Sequence, residues 1–232
     1  MIDNSVKTFY DVNQFPGPYT LEDLHYHIPD VQNPYLKIID NYITSDVKTV
    51  IDVGCGTGVI SNLFAMKNPN INFTACDFAE SIIFAEKFAV HNNINNIKYH
   101  KANFLEFGVQ HKSKYDLVIC QGVLHHIPEY ETAIKYLSKL INPGGTLILG
   151  VYNPYGKILK KFFKIDYLND ILYKDQELNP FETSFTVQQV KNYFKELTLV
   201  DAYPSQSNIR ALFNSRNGGL TTYIFKFGKI ST

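Results

Sequence analysis

The sequence is poor in cysteine and has no excess of either charge. Its three cysteines, Cys55, Cys76 and Cys120, match no metal-ligand spacing and form no disulfide framework. Lysine plus arginine equals aspartate plus glutamate at 22 each, so there is no electrostatic footprint for nucleic acid or an anionic membrane. No stretch approaches the roughly 18 consecutive apolar residues of a membrane span. The start, Met1-Ile2-Asp3-Asn4, lacks the basic head and apolar middle of a secretion signal. Repeats and low-complexity tracts are missing as well. These absences lead us to expect a soluble, cytoplasmic protein with no metal, no membrane insertion and no nucleic-acid partner; they leave the oligomeric state open. What is present is a chain of 232 residues, 45% hydrophobic, enough for one large domain with appendages.

The most informative stretch is Val50-Ile51-Asp52-Val53-Gly54-Cys55-Gly56-Thr57-Gly58. It reads as a buried strand breaking into a glycine turn, with a helix beginning at Val59. Strand, glycine loop and helix start form the nucleotide-binding corner of a doubly wound sheet. A dinucleotide site wants Gly-x-Gly-x-x-Gly, and counting from Gly54 the third glycine falls on Val59. The spacing here is Gly-x-Gly-x-Gly, with Asp52 inside the strand. That arrangement suits an uncharged or cationic group beside the loop.

The rest of the chain alternates strand and helix. The first ~45 residues read as loop and short helix, with a helix over 34–42. Strands are predicted at 49–53, 72–76, 97–101, 115–120 and 146–151. Helices are predicted at 59–67, 79–92 and 129–140, and Asn142-Pro143-Gly144-Gly145 is the stop of the last. The apolar run at 115–120 is that of a central parallel strand. Beyond it come a basic and aromatic helical stretch at 157–173, a loop at 175–185, a helix at 187–194 capped by Thr186, and closing strands at 197–203 and 220–227. Such alternation predicts an α/β fold with helices on both faces of a parallel sheet. The cysteines fall at carboxyl ends of strands, where they read as small hydrophobes under the loops; thiols that oxidise and block the cleft are the other reading.

Asp-x-Gly-x-Gly-x-Gly after an apolar strand resembles the first motif of the class I S-adenosylmethionine-dependent methyltransferases. Pro143-Gly144-Gly145 resembles the late glycine motif of that superfamily. The resemblance is specific over 47–151 and weaker to the C-terminus. It implies a seven-stranded doubly wound sheet, order 3-2-1-4-5-7-6, with strand 7 antiparallel. It also divides the chain into an N-terminal lid or helical segment (1–46) and a cofactor-binding domain (47–232) with a substrate-side insert at 157–185. S-adenosylmethionine is the implied cofactor and S-adenosylhomocysteine the product.

The resemblance also implies residue roles. Asp52, Gly54, Cys55, Gly56 and Gly58 form the loop. Independently of the resemblance, Asp77, ending the second strand, is placed to accept from the ribose hydroxyls of S-adenosylmethionine and NAD alike, a solvated aspartate being the plainer reading, and Phe78 either lies against the adenine or packs as core. Asn103 stands where relatives often have an acidic residue, so its side-chain carbonyl would accept from the adenine amino group without charge assistance; Phe104 offers a backbone N–H. Cys120-Gln121-Gly122-Val123-Leu124-His125-His126-Ile127-Pro128 resembles the segment of small-molecule methyltransferases in which a backbone carbonyl holds the cofactor's amino group, placing Gln121 at the cofactor. The Asn- or Asp-Pro-Pro-aromatic tetrapeptide of families that methylate nucleic-acid or amide nitrogen is missing there.

His125 and His126 are the general-base candidates, because a neutral imidazole is available near pH 7 to take a hydroxyl proton; the plainer reading has one pack against the sheet and the other cap a loop. Acceptor choice is expected in the flanks: Tyr10, Tyr19 and His25 in the N-terminal segment, Tyr152 after the fifth strand, and Glu182 in the insert. Tyr152-Asn153-Pro154-Tyr155-Gly156 looks like the segment after strand 5 in a group of bacterial methyltransferases.

The function expected is methyl transfer to a small or carrier-linked metabolite, most readily at oxygen. Three readings stay open. A protein or RNA methyltransferase would show a basic patch beside the cleft. A non-catalytic cofactor-binding module would lack an acceptor pocket. An NAD-type oxidoreductase is opposed by the glycine spacing.

Overall fold

Strand positions follow from the apolar runs. In a computed structural model, which describes residues 4–27, 34–111, 114–154, 179–203 and 220–228, they become β1 (Thr49–Val53), β2 (Asn72–Asp77), β3 (Ile97–Lys101), β4 (Tyr115–Gln121), β5 (Ile141–Tyr152), β6 (Leu197–Tyr203) and β7 (Leu220–Phe227). They join in one sheet of order β3-β2-β1-β4-β5-β7-β6. The first five pair in parallel, and β7 runs antiparallel to both β5 and β6. The expected order and the expected antiparallel strand are both observed.

The helices are α1 (Asn4–Val12), α2 (Leu21–His27), α3 (Pro34–Tyr42), α4 (Val59–Lys67), α5 (Ser81–His91), α6 (Phe104–Gln110), α7 (Tyr130–Leu140) and α8 (Val187–Tyr193), with a 3₁₀ turn at Leu124–His126. Central strands are apolar on both faces because both faces are covered. On one, Leu24 of α2, Leu36 and Ile39 of α3, Phe64 of α4 and Phe88 of α5 pack on Val50, Leu117, Ile119 and Ile148. On the other, Phe107 of α6, Leu137 of α7 and Val190 of α8 pack on Ile51, Val118, Leu149 and Phe225. The N-terminal helices α2 and α3 thus share a core with the sheet.

Several boundaries differ from the sequence reading. The N-terminal segment is more helical than expected. Thr20 and Asp23 start α2 by exchanging bonds, Thr20 N–H to Asp23 Oδ2 at 2.7 Å and Asp23 N–H to Thr20 Oγ1 at 3.2 Å, a capping box with Asp in place of Glu. Helix α5 begins at Ser81, not Ala79, because the Asp77 carboxylate takes the Ala79 N–H into a turn at 2.8 Å. Helix α6 was not expected; Asn103 caps it through Oδ1 to Leu105 N–H at 2.8 Å. Strand β5 starts five residues early: Ile141 pairs with Tyr115, the Asn-Pro-Gly-Gly run bulges out, and pairing resumes between Thr146 and Leu117. Most of the predicted insert, including the helical stretch at 157–173, lies outside the described residues, as does the connection at 204–219.

Candidate active site

The carboxyl ends of β1, β2 and β4 open into a cavity of about 530 Å³. The glycine loop forms one wall. Gly54 and Cys55 give their N–H groups to the Cys76 carbonyl at 2.8 and 3.2 Å, which folds the loop over the end of β2. Gly56 has φ +55°, and a Cβ there would stand 2.3 Å from the Phe15 carbonyl oxygen. Only glycine suits both the backbone and the space. Gly58 caps α4, and Val59 follows it at the cavity wall.

Two carboxylates stand at this wall. Asp77 Oδ2 accepts from Gly56 N–H and Oδ1 from Ala79 N–H, both at 2.8 Å, so one side chain ties the loop to the start of α5. Burial raises its pKa, and those N–H groups oppose the rise. Asp52 is buried and accepts from Ser61 Oγ at 2.5 Å. Burial pushes its pKa up to about 7; the Ser61 bond lowers it and the nearby Asp77 charge raises it. The cysteines are all buried, and burial pushes their thiols up, Cys120 to about 12, so the reactive thiolate is disfavoured. They pack as small hydrophobes.

The adenine-side candidates also line the cavity. Phe78 follows Asp77, and Ala102 N–H bonds the Asp77 carbonyl at 2.9 Å, which brings Asn103 and Phe104 beside them. The Asn103 carbonyl already caps α6, so only its second lone pair is left for an adenine amino group. Phe104 is the first residue of α6, where an N–H has no acceptor within its own helix.

His125 and His126 separate sharply. His125 is fully buried and does not reach the cavity; its ring lies 3.9 Å from that of Tyr152, and its Nδ1 accepts from Tyr152 N–H at 3.4 Å. His126 lines the cavity. Its Nδ1 lies 3.1 Å from the Phe181 carbonyl, so Nδ1 carries the proton and, in the neutral ring, the lone pair is on Nε2.

Among the flank candidates, Tyr10, Tyr19 and Tyr152 line the cavity. Tyr10 stands between Phe78 and His126, with ring centroids 6.4 and 5.9 Å away, and its hydroxyl accepts from Asn179 Nδ2 at 3.1 Å. The Tyr19 hydroxyl accepts from Asn62 Nδ2 at 2.8 Å, and its ring packs on Phe84 and Phe88. Tyr19 therefore fastens the N-terminal strap to α4 and α5. The Tyr152 ring is edge-on to His126 at 5.8 Å. Glu182 is half-buried beside Thr183, whose N–H bonds the His125 carbonyl, and is not among the described lining residues. His25 sits in the last turn of α2, and its side chain lies outside the described residues.

The sequence reading missed the groups that fasten the strap. Thr57 N–H bonds the Phe15 carbonyl at 3.1 Å, and Glu80 N–H bonds Asp11 Oδ1 at 2.9 Å. A main-chain carbonyl carries no sequence signal, and an acid at position 11 reads as solvated. Among the described residues, no group of three or more His, Cys, Asp or Glu is placed to hold a metal, and no helix is long and apolar enough to cross a membrane.

Comparison with known proteins agrees with this geometry. A family model described as "Methyltransferase domain" matches residues 44–216. A ubiquinone biosynthesis O-methyltransferase of Hydrogenovibrio crunogenus is 25% identical over 175 residues, 73% of this chain and 72% of that protein. One from Coxiella burnetii is 33% identical over 118 residues, 51% of this chain and 49% of the relative, so that match spans about half the relative's length. Among solved structures, magnesium protoporphyrin IX methyltransferase from Synechocystis PCC 6803, with bound S-adenosylmethionine, superposes with a TM-score of 0.64 at 15% identity, covering 98% of this chain and 99% of the other.

Proposed function

The chain belongs to the methyltransferase domain family, within the class I S-adenosylmethionine-dependent methyltransferases, and on that premise we propose that it methylates a hydroxyl oxygen of a small molecule, with His126 as the base. The relatives named as O-methyltransferases support oxygen as the acceptor atom. One observation carries the reading: a single cavity holds the glycine-loop carboxylates at one wall and, at another, His126 with its Nδ1 set against the Phe181 carbonyl.

The residues present fit the cofactor. Asp77 has lone pairs beyond the two it gives the backbone, enough for ribose hydroxyls. Phe78, Asn103 and Phe104 would hold the adenine. Asp52 and the Gln121 main-chain carbonyl would hold the cationic amino-acid end, whose positive charge would favour the ionised form of the Asp52 carboxyl. When bound, the sulfonium supplies an electrophilic methyl group. His126 Nε2 accepts the acceptor's hydroxyl proton as the oxygen takes up the methyl. The Phe181 carbonyl keeps the imidazole in the tautomer able to do so. Tyr10 and Tyr152 flank the acceptor, and the strap excludes water, which strengthens every polar contact inside.

Isothermal titration tests the cofactor half of this reading. S-adenosylhomocysteine should bind and NAD should not. Asp77→Asn, which keeps one of the two oxygens that accept from Gly56 and Ala79 and replaces the other with a donor, should weaken S-adenosylhomocysteine binding by at least about tenfold, the loss of a charge-assisted bond. NAD binding without a response to S-adenosylhomocysteine overturns the assignment. Labelled S-adenosylmethionine in cell extract would then identify the acceptor.

A further inference from the structure

The segment from Asn179 to Phe185 is neither helix nor strand, yet it is held along its length. Phe185 N–H bonds the Tyr152 carbonyl at 2.8 Å, and Thr183 N–H bonds the His125 carbonyl at 2.9 Å. The buried Phe185 ring, edge-on to Tyr130 at 5.2 Å, anchors this end. The segment therefore runs beside the end of β5 and the turn that carries both histidines. Further along it, the Phe181 carbonyl meets His126 Nδ1 at 3.1 Å. A carbonyl only accepts, so it selects the tautomer with the proton on Nδ1.

The Asn179 side chain stands behind that carbonyl. Its Oδ1 accepts from Phe181 N–H at 3.2 Å, closing an Asx turn over Pro180. Its Nδ2 donates to the Tyr10 hydroxyl at 3.1 Å. One planar amide thus makes both bonds, and a shift of Tyr10 tilts the group that holds Phe181. The link is stiff. Pro180 has a fixed φ, and the N–H and carbonyl of Phe181 are separated by the two soft dihedrals of a single residue.

Tyr10 belongs to α1, in the strap that covers the cavity. It meets His126 in two ways. Its ring stands 5.9 Å from the imidazole, and its hydroxyl reaches the same imidazole through Asn179 and Phe181. Neither Asn179 nor Phe181 is among the described lining residues of the cavity, so this second route runs outside it.

We propose that Asn179 is a positioning residue that couples closure of the N-terminal strap to the tautomer of His126. With the Tyr10 hydroxyl in place, the amide fixes Phe181 so that its carbonyl receives Nδ1–H. The lone pair is then on Nε2, the form that can take a hydroxyl proton. With the strap displaced, the amide loses its Tyr10 anchor and both tautomers become accessible. The base is set only when the cover is on. The proposal rests on the reading of His126 as the base and adds what sets it.

Long-range ¹H–¹⁵N correlation spectra of the histidine rings test this on the full chain and need no methyl acceptor. They are recorded at about pH 8, where an imidazole is ordinarily neutral, and His126 is assigned by its loss in His126→Gln. The unmodified chain should carry the proton on Nδ1. Tyr10→Phe keeps the ring and removes the hydroxyl; it should lower the ratio of the Nδ1–H to the Nε2–H form about fivefold, the worth of one hydrogen bond. Asn179→Ala should lower it at least as far. The double variant should fall no further than Asn179→Ala, because both changes break one link. Asn179→Ser keeps a short acceptor for Phe181 N–H but cannot reach Tyr10, so it should match Tyr10→Phe, and it serves if the alanine variant does not fold. A purely structural Asn179 would change the melting temperature and leave the tautomer alone. An unchanged tautomer in the Asn179 variants, losses that add in the double variant, or a proton on Nε2 in the unmodified chain overturns the coupling. Full turnover by His126→Gln would instead remove the base assignment, with the coupling still legible in the spectra.

Discussion

His126 and His125 are adjacent in sequence yet belong to different environments. His126 meets the cavity, whereas His125 is enclosed between Tyr152 and the segment around Thr183. We expect His126→Gln to lower kcat by about 10²–10⁴-fold with S-adenosylhomocysteine affinity intact. His125→Gln should instead lower the melting temperature, because a fully buried, hydrogen-bonded ring is being replaced. Equal loss of kcat in both variants at unchanged stability would remove the distinction. Asp52 makes a different prediction. Its folded pKa, about 7, lies above the unfolded value of 3.8. Between these values the folded state holds a proton that the unfolded state releases, so this group's contribution to stability falls as pH rises from about 4 to about 7 and is flat above. In urea titrations of the ligand-free protein at pH 5 and 8, Asp52→Asn should lose less stability over the interval than the unmodified chain. An identical pH dependence would show that Asp52 is charged throughout.

At the scale of elements, the N-terminal strap and the glycine loop depend on each other. Phe15 is held by Thr57, Asp11 by Glu80, and Tyr19 by Asn62. Each anchor on the domain side lies in or beside an element that lines the cavity. A cleft that must exclude water requires such a cover. Deleting residues 1–20 should therefore leave S-adenosylhomocysteine affinity within about tenfold and abolish turnover, the helices of the domain remaining intact by circular dichroism. Full turnover by the truncated chain would show that the strap is no lid. The strap also decides what Gly56 is for. The loop reads in sequence as a cradle for a ligand, but the Cβ of a Gly56→Val side chain would first strike the Phe15 carbonyl.

For the whole molecule, two cores on opposite faces of one sheet carry the fold, and the cavity lies at the ends of the strands that separate them. A ligand there touches β1, β2 and β4 together with the strap, so binding should be felt globally. Free S-adenosylhomocysteine at 100 times its Kd stabilises a binding-competent state by about 2.7 kcal/mol, a rise in melting temperature on the order of 5–10 °C for a chain of this size. Differential scanning fluorimetry reads this directly. An unmoved transition under saturating ligand would contradict a site built across these elements.

The strand positions, the glycine loop and the carboxylate ending β2 were legible because each follows from local patterning, whereas the strand order and the antiparallel last strand came from the resemblance to the methyltransferase family. Apolar runs, glycine spacing and strand–helix alternation are properties of neighbours in sequence. Helix α6 and the early start of β5 were not, since one depends on a single capping side chain and the other on a pairing between Tyr115 and Ile141. The division of labour between His125 and His126 was closed to sequence as well: adjacent residues on a 3₁₀ turn face different surroundings, and only the packing of Tyr152 and Phe181 decides which one meets the cavity. The same holds for Gln121 of β4, Gly150 of β5 and Thr222 of β7, where Gln121 Nε2 donates to Thr222 Oγ1 across Gly150. Residues 121, 150 and 222 come together only because β4, β5 and β7 are neighbours in register, and long-range strand pairing is decided by the tertiary fold, not by local sequence.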